Sequence, residues 1–182
     1  TMYQYILFDL DGTLTDPGLG ITNSVMHALK KYNIEVEDRT TLYKFIGPPL
    51  DASFMKFYGF DENDAKKAVE YYRVYYRAKG INEALLYEGV KETLVALKDM
   101  GKTLYVATSK PGVFAKQILK YWQIDHLFAD IVGSNLDGTM VNKDEVIASV
   151  LEKHQISDKS KVVMVGDREY DILGARKVGV SS

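Results

Sequence analysis

The sequence has no cysteine among its 182 residues. Disulfide bonds, thiolate metal sites and catalysis by a cysteine nucleophile are therefore excluded. It also lacks any uninterrupted apolar run of about 18 residues, the length that a membrane-spanning helix needs. Its first residues do not show a basic flank followed by an apolar segment, which is the pattern of a secretory signal. From these absences we expect a cytoplasmic protein with no membrane partner.

An excess of charge of one sign is also lacking. The chain carries 23 Lys and Arg against 25 Asp and Glu, which gives a formal net charge of −2. Without a basic field, nucleic acid is not expected as a partner. A hydrophobic content of 46% and a charged content of 26% are typical of a globular protein. The length suits one main domain with a small insertion, and we expect a monomer or a weak homodimer.

Two carboxylates follow the first apolar segment of the chain. Residues 5–8 predict a buried strand, and Asp9 and Asp11 come directly after it, followed by Gly12. Side chains two positions apart on a strand point the same way, so both carboxylates face one spot. Mg²⁺ prefers such oxygen ligands together with phosphate oxygens. The pair indicates a Mg²⁺ site with a nucleophile and a proton carrier; taken alone, an ordinary Asp-Gly turn explains it equally well.

A second carboxylate pair and a lone lysine occur in the last third of the chain. Residues 161–166 again predict a buried strand that ends in glycine, and Asp167 and Asp171 follow it. Lys143 opens an amphipathic helix, where a cation opposes the helix dipole. That small cost is explained if an anion lies beside the lysine, although a solvated lysine also fits.

Candidate phosphate-binding groups lie between the two carboxylate pairs. Residues 103–107 predict a third strand, which ends in Thr108, Ser109 and Lys110, and Pro111 is suited to the first turn of a helix. Hydroxyls and backbone N–H groups at such a point can hold an anion. For Lys110 we consider both a contact with the substrate beside its phosphate and simple solvation.

In this order, the Asp-x-Asp-Gly-Thr segment at 9–13, the strand ending at 108–109, the lone Lys143 and the Gly-Asp-x-x-x-Asp segment at 166–171 resemble the haloacid dehalogenase superfamily of phosphohydrolases. The first and last motifs are highly specific, and the resemblance spans essentially the whole chain. The gap before the re-entry at Leu86 resembles the inserted helical cap of the phosphoglycolate-phosphatase-like branch.

The resemblance implies a role for each motif residue. Asp9 would be the nucleophile that forms an aspartyl-phosphate, and Asp11 would protonate the leaving oxygen and then deprotonate the attacking water. Mg²⁺ would be held by the Asp9 carboxylate, the Asp11 backbone carbonyl and Asp167, with Asp171 assisting. Thr108 and Lys143 would hold the phosphoryl oxygens. The full set of implied phosphate and substrate contacts is Leu10, Asp11, Thr108, Ser109, Lys110, Lys143 and Gly47.

The alternation of strands and helices predicts an α/β fold, a Rossmann-like parallel sheet with helices on both faces. Residues 1–15 and 85–182 are expected to form this core, and residues 16–84 an inserted all-helical cap. Within the cap, we expect a long helix that begins after the N-cap residue Asp61.

The end of the chain departs from the pattern that the family resemblance implies. Gly179 and Val180 look like the approach to another strand, yet the sequence stops at Ser182. Relatives of this kind carry a further strand, so we expect that strand to be missing and a sheet edge to be left unpaired.

The expected function is Mg²⁺-dependent hydrolysis of a small phosphorylated metabolite: phosphoglycolate, a nucleoside monophosphate or a sugar phosphate. A phosphomutase of the β-phosphoglucomutase type and a non-catalytic phosphate-binding module are the alternatives. Sugar-phosphate mutases of this branch carry an arginine just after the cap glycine that corresponds to Gly47, where this sequence has Pro48. The presence of both Asp9 and Asp11 argues against a binding module, because binding alone needs no nucleophile.

Overall fold

Strands and helices alternate along residues 2–182, the part of the chain that this computed structural model describes. In chain order, the strands are β1 (Tyr5–Phe8), β2 (Thr15–Asp16), β3 (Leu85–Leu86), β4 (Thr103–Pro111), β5 (Asp130–Ser134) and β6 (Val162–Val165). The helices are α1 (Gly18–Lys30), α2 (Leu50–Tyr58), α3 (Glu62–Ala78), α4 (Val90–Asp99), α5 (Gly112–Tyr121), α6 (Lys143–Lys153) and α7 (Glu169–Val178). Short 3₁₀ helices lie at Arg39–Phe45, Gly80–Glu83, Asp125–Leu127 and Lys159–Lys161.

The chain divides into two compact units. The first comprises the residues up to Asp16 together with Leu86–Ser182, and the second is Pro17–Leu85. The expected boundaries lie one residue earlier at each of the two crossings. That the second unit works as a cap stays a prediction.

The first unit is built on a four-stranded parallel sheet in the order β5-β4-β1-β6. Leu7 in β1 lies opposite Tyr105 in β4 and Met164 in β6. Because the strands are parallel and in register, the residues that follow β1, β4 and β6 emerge at the same edge of the sheet. The predicted α/β parallel-sheet fold is confirmed.

Buried side chains on both faces of the sheet explain why helices cover it. Leu7 belongs to a buried cluster with residues of α6, among them Val146 and Val150. Phe8, which points to the opposite face, is also buried, and its ring meets that of Phe128 edge-on at 6.3 Å. A strand buried on both sides reads as a continuous apolar run, as residues 5–8 do.

The β6 edge of the sheet is not wholly unpaired, in contrast to the expectation. Ser181 forms a parallel bridge with Val163, and the Met164 N–H donates to the Ser181 carbonyl at 2.8 Å. Val180 is buried in the core cluster. The sequence indicated that Gly179 and Val180 lead toward a further strand, and what the structure shows there is the single bridge between Ser181 and Val163.

The second unit is helical between Gly18 and Glu83, as predicted, and packs around aromatic rings. The Phe45 ring lies 5.1 Å from that of Phe54, and both side chains are almost fully buried. Arg39 joins the 3₁₀ helix to α1, because its guanidinium donates to Thr22 Oγ1 at 2.6 Å and to Asn23 Oδ1 at 2.7 Å.

Among residues 2–182, no helix combines the length and the apolar character that crossing a membrane requires.

The start of α3 allows the predicted N-cap at Asp61 to be tested. The Asp61 carboxylate accepts a hydrogen bond from the Asp64 N–H at 2.7 Å, as the predicted N-cap should. Asp61→Ala is expected to lower the free energy of unfolding by about 1 kcal/mol, because an N–H of the first turn loses its acceptor. Urea unfolding of the whole chain measures this loss. Asp61→Asn, which keeps an acceptor, is the control; equal losses in both variants would contradict the cap.

Candidate active site

The carboxyl ends of the strands bring most of the predicted site residues together. Asp9 follows β1, Asp167 follows β6, Thr108 lies in the last part of β4, and Lys143 begins α6. One carboxylate oxygen from each of Asp9, Asp167 and Asp171 lies within 4.8 Å of the others. All of these residues belong to the first unit.

Asp9 is held by contacts that all fall on one of its oxygens. Its side chain is buried, and Oδ1 accepts the Leu10 N–H at 2.8 Å and lies 2.9 Å from Lys143 Nζ. The Asp9 N–H donates to the Val165 carbonyl at 2.9 Å, which ties the residue to the end of β6. Neither of these side-chain contacts involves Oδ2.

Burial raises the pKa of Asp9 from 3.8 to about 6. Lys143 opposes this rise, whereas the charge of Asp171 adds to it. Because the pKa is higher in the folded state, the ionisation of Asp9 lowers the free energy of unfolding as the pH rises through this range. A bound cation would reduce that cost.

Lys143 is the cation at the centre of the cluster. Its Nζ lies 2.9 Å from Asp9 Oδ1 and from Asp171 Oδ1, and it donates to the Ala107 carbonyl at 3.2 Å. Burial by itself would lower the pKa of Lys143, but the two carboxylates raise it above its ordinary value. Carboxylate partners explain why a lysine is stable at a helix start, and the alternative of a solvated Lys143 is wrong.

Asp11 has a different partner. Its Oδ2 lies 3.1 Å from Lys110 Nζ, and both side chains are 7% exposed. Its Oδ1 is buried and accepts no hydrogen bond from any residue in 2–182. The alternative of a solvated Lys110 is therefore wrong, and its predicted contact with a substrate stays a prediction.

Glycines allow the carboxylates to come this close. Gly12 has φ +85°, and a Cβ there would collide with the Asp167 carboxylate. A Cβ at Gly166 would collide with the carboxylate of Asp171. The sequence indicated these glycines as turn residues; their second role, as space for a facing side chain, depends on a tertiary contact.

The donor set fits a hard divalent cation. Asp9, Asp167 and Asp171 supply oxygen atoms only, and Asp167 is exposed, so an ion has access from solvent. The four site carboxylates face two ammonium groups, those of Lys143 and Lys110. When all are ionised, two negative charges are left over, and a divalent cation would balance them.

The end of β4 differs from the prediction at Pro111. The strand runs on through Pro111, which is its last residue, so the placement of Pro111 in the first turn of a helix is wrong. Its ψ of 131° is extended, and α5 begins only at Gly112. Thr108 is buried and Ser109 is half-buried. Their predicted contacts with phosphate, and those of Leu10, stay predictions.

Gly47 is the one predicted site residue outside this cluster. It lies in the second unit, between the 3₁₀ helix Arg39–Phe45 and α2, with φ +108°. Its contact with a substrate stays a prediction.

Comparison with known proteins agrees with this geometry. The profile of the haloacid dehalogenase-like hydrolases matches residues 6–182. A 5'-nucleotidase from Pseudomonas aeruginosa is 49% identical over 179 residues, which cover 98% of this chain and 80% of that protein. The crystal structure of a "predicted phosphatase" from Clostridium acetobutylicum is 50% identical with a TM-score of 0.97, and the match covers 99% of this chain and 83% of that one.

Another relative has a different activity in its name. The tyrosine-protein kinase PtkA of Mycobacterium tuberculosis is 35% identical over 179 residues, which cover 98% of this chain. The chain spans 60% of that kinase's length.

The carboxylate cluster predicts cation binding that can be measured directly. Asp167→Asn is expected to weaken Mg²⁺ binding at least about tenfold, because one of three anionic ligands is lost. Isothermal titration calorimetry of the whole chain measures the affinity. Glu169→Gln, which removes an exposed carboxylate two residues away from the cluster, should bind as the unaltered protein does. An unchanged affinity in Asp167→Asn would exclude this residue as a ligand.

Proposed function

This chain belongs to the haloacid dehalogenase-like hydrolase family, and from that premise we propose that it is a phosphatase that hydrolyses small phosphate monoesters with Mg²⁺ as its cofactor. The family membership confirms the resemblance found in the motifs. The observation that carries the proposal is the meeting of three carboxylates at the carboxyl edge of the sheet, two of which lie 2.9 Å from a buried lysine. The phosphatase and nucleotidase names of its relatives support the same chemistry.

Asp9 is the nucleophile in this proposal. Its Oδ2 attacks phosphorus, a P–O bond to Asp9 forms, and the P–O bond to the alcohol of the ester breaks. Water then attacks the phosphorus of the aspartyl-phosphate, which releases inorganic phosphate and restores the carboxylate. The fixed Oδ1 supports this role, because Leu10 N–H and Lys143 orient the carboxylate before the substrate arrives.

Asp11 transfers the proton in both steps. It gives a proton to the oxygen of the departing alcohol in the first step and takes one from the attacking water in the second. The buried Oδ1 without a hydrogen-bond partner in residues 2–182 supports this assignment, because a leaving oxygen would supply the missing partner.

The remaining site residues compensate charge and orient the phosphate. Asp9, Asp167 and Asp171, with the backbone carbonyl of Asp11, would hold Mg²⁺, which reduces the repulsion between an anionic nucleophile and an anionic phosphate. Lys143 orients Asp9 and would neutralise charge on the phosphoryl oxygens together with Thr108.

A nucleoside 5'-monophosphate is the first substrate to test. The 49% identical relative is named a 5'-nucleotidase. Phosphoglycolate and a sugar phosphate are the other members of the test panel, since the groups on the first unit recognise the phosphate that all three share.

A second candidate function is phosphoryl transfer to a hydroxyl group other than that of water. The 35% identical relative named a tyrosine kinase is the observation that favours it. The chemistry would use the same phosphorylated Asp9, with a different acceptor in the second step. Supplying tyrosine-containing peptide to the assay separates the two, because transfer would produce phosphopeptide in place of inorganic phosphate.

Asp9→Asn tests the proposal. Release of phosphate from the panel in the presence of Mg²⁺ is expected to fall at least about 1000-fold, because the amide cannot act as the nucleophile. Circular dichroism should show an unchanged fold. Asp99→Asn, at an exposed position on α4, serves as the control and should keep full activity. Undiminished activity of Asp9→Asn would remove this residue from the reaction, and activity that does not respond to chelation of Mg²⁺ would remove the metal.

A further inference from the structure

A second buried ion pair lies beside the carboxylate cluster, and the reaction described above assigns no part to its lysine. Lys110 Nζ is 3.1 Å from Asp11 Oδ2, and each side chain is 7% exposed. The other cation of the site, Lys143, contacts Asp9 and Asp171 instead. The site thus has one lysine for the nucleophile and a separate lysine for the residue that moves the proton.

The backbone at Lys110 is placed by a distortion of the sheet. Ala107 of β4 pairs with Val132 of β5, and Pro111 pairs with Ser134, so four steps along β4 match two along β5. The extra residues bulge out of the ladder. Within the bulge, the Lys110 N–H donates to Thr108 Oγ1 at 3.1 Å.

A glycine on the neighbouring strand makes room for this bulge. A Cβ at Gly133 would collide with the Lys110 carbonyl and with the Gly112 backbone. The position of Lys110 is therefore specified by β4 and β5 together, and its side chain reaches Asp11 from a defined point on the sheet.

The two oxygens of Asp11 have unequal environments. Oδ2 has the ammonium group of Lys110, whereas Oδ1 is buried without a hydrogen-bond partner in residues 2–182. The ion pair fixes the plane of the carboxyl group, because any rotation about its last bond short of a half-turn would take the bound oxygen away from the cation. The second oxygen is thereby held on the side away from Lys110.

From this asymmetry we infer that Lys110 is a positioning residue: it holds Asp11 so that Oδ1 faces the oxygen of the leaving group. The inference rests on the proposed function, in which Asp11 is the proton donor. It differs from the sequence-based prediction that Lys110 contacts the substrate. In the first step, which kcat/KM reports, a direct phosphate contact would act on every ester alike, whereas positioning of Asp11 matters only when the leaving group needs a proton. In the second step Asp11 acts on water, and that step is the same for every ester.

Two aryl esters of nearly the same shape separate these roles. Phenyl phosphate releases a phenolate whose conjugate acid has a pKa of about 10, as for tyrosine. The p-nitrophenolate released from p-nitrophenyl phosphate is a far weaker base and leaves without a proton. Lys110→Met, which keeps the length of the side chain and removes the charge, is expected to lower kcat/KM for phenyl phosphate about 30-fold, a part of the roughly 10²- to 10⁴-fold that general acid catalysis contributes. It should lower kcat/KM for p-nitrophenyl phosphate less than about threefold.

A double-mutant cycle tests whether Lys110 acts through Asp11. Asp11→Asn should show the same dependence on the leaving group, and adding Lys110→Met to it should cause no further loss for phenyl phosphate. Lys116→Met, which removes an exposed lysine from α5, is the control for loss of one positive charge and should match the unaltered protein on both esters. Retained turnover of p-nitrophenyl phosphate shows that the site of Lys110→Met is folded.

The possible outcomes separate the two proposals. Equal losses of kcat/KM on both esters, or additive effects in the double variant, would overturn the positioning role while leaving the phosphatase in place. If Lys110→Met loses both activities and its circular dichroism spectrum shows that it is unfolded, the two esters are compared in Lys110→Gln instead. The positioning role then requires the same leaving-group dependence in that variant. If the unaltered protein with Mg²⁺ hydrolyses neither these esters nor any member of the metabolite panel, the proposed function fails and this inference fails with it.

Discussion

The ammonium group of Lys143 lies 2.9 Å from each of two buried carboxylates, those of Asp9 and Asp171. Without a cation between them, like charges at this distance and depth would repel and would be driven toward protonation. The pKa of Asp9 is raised to about 6 even with the lysine in place. The fold therefore keeps the buried Asp9 carboxylate beside a second carboxylate by placing a cation against both, and the proposed chemistry depends on that balance.

The parallel sheet is what makes this balance possible. Its register brings the ends of β1, β4 and β6 to one edge, so residues far apart in the chain share one small volume. The helix that begins with Lys143 packs its apolar face on the same sheet, through Val146 and Val150. Packing of the core and placement of the charges are thus two results of the same strand order, and a change in strand register would disturb both.

The two lysines contact different carboxylates. In the proposed reaction, Lys143 would serve the nucleophile Asp9 and the cation site, and Lys110 would serve the acid Asp11. This separation suits a two-step reaction, because Asp9 must remain a carboxylate while Asp11 gives and takes a proton. Gly12 and Gly166 complete the arrangement by leaving room for the facing carboxylates of Asp167 and Asp171.

Local pattern in the sequence was sufficient to predict the succession of strands and helices along the chain, the N-cap at Asp61 and the two carboxylate pairs. Each of these depends on neighbours within a few residues. Three features depended on contacts between distant segments: the pairing of Lys110 with Asp11, the extension of β4 through Pro111, and the bridge that Ser181 makes to Val163. A bulge is decided by how two strands match, and a lysine side chain is long enough to reach several partners. Only the tertiary structure selects among them, since burial removes water as the competing partner and leaves the nearest carboxylate as the favoured one.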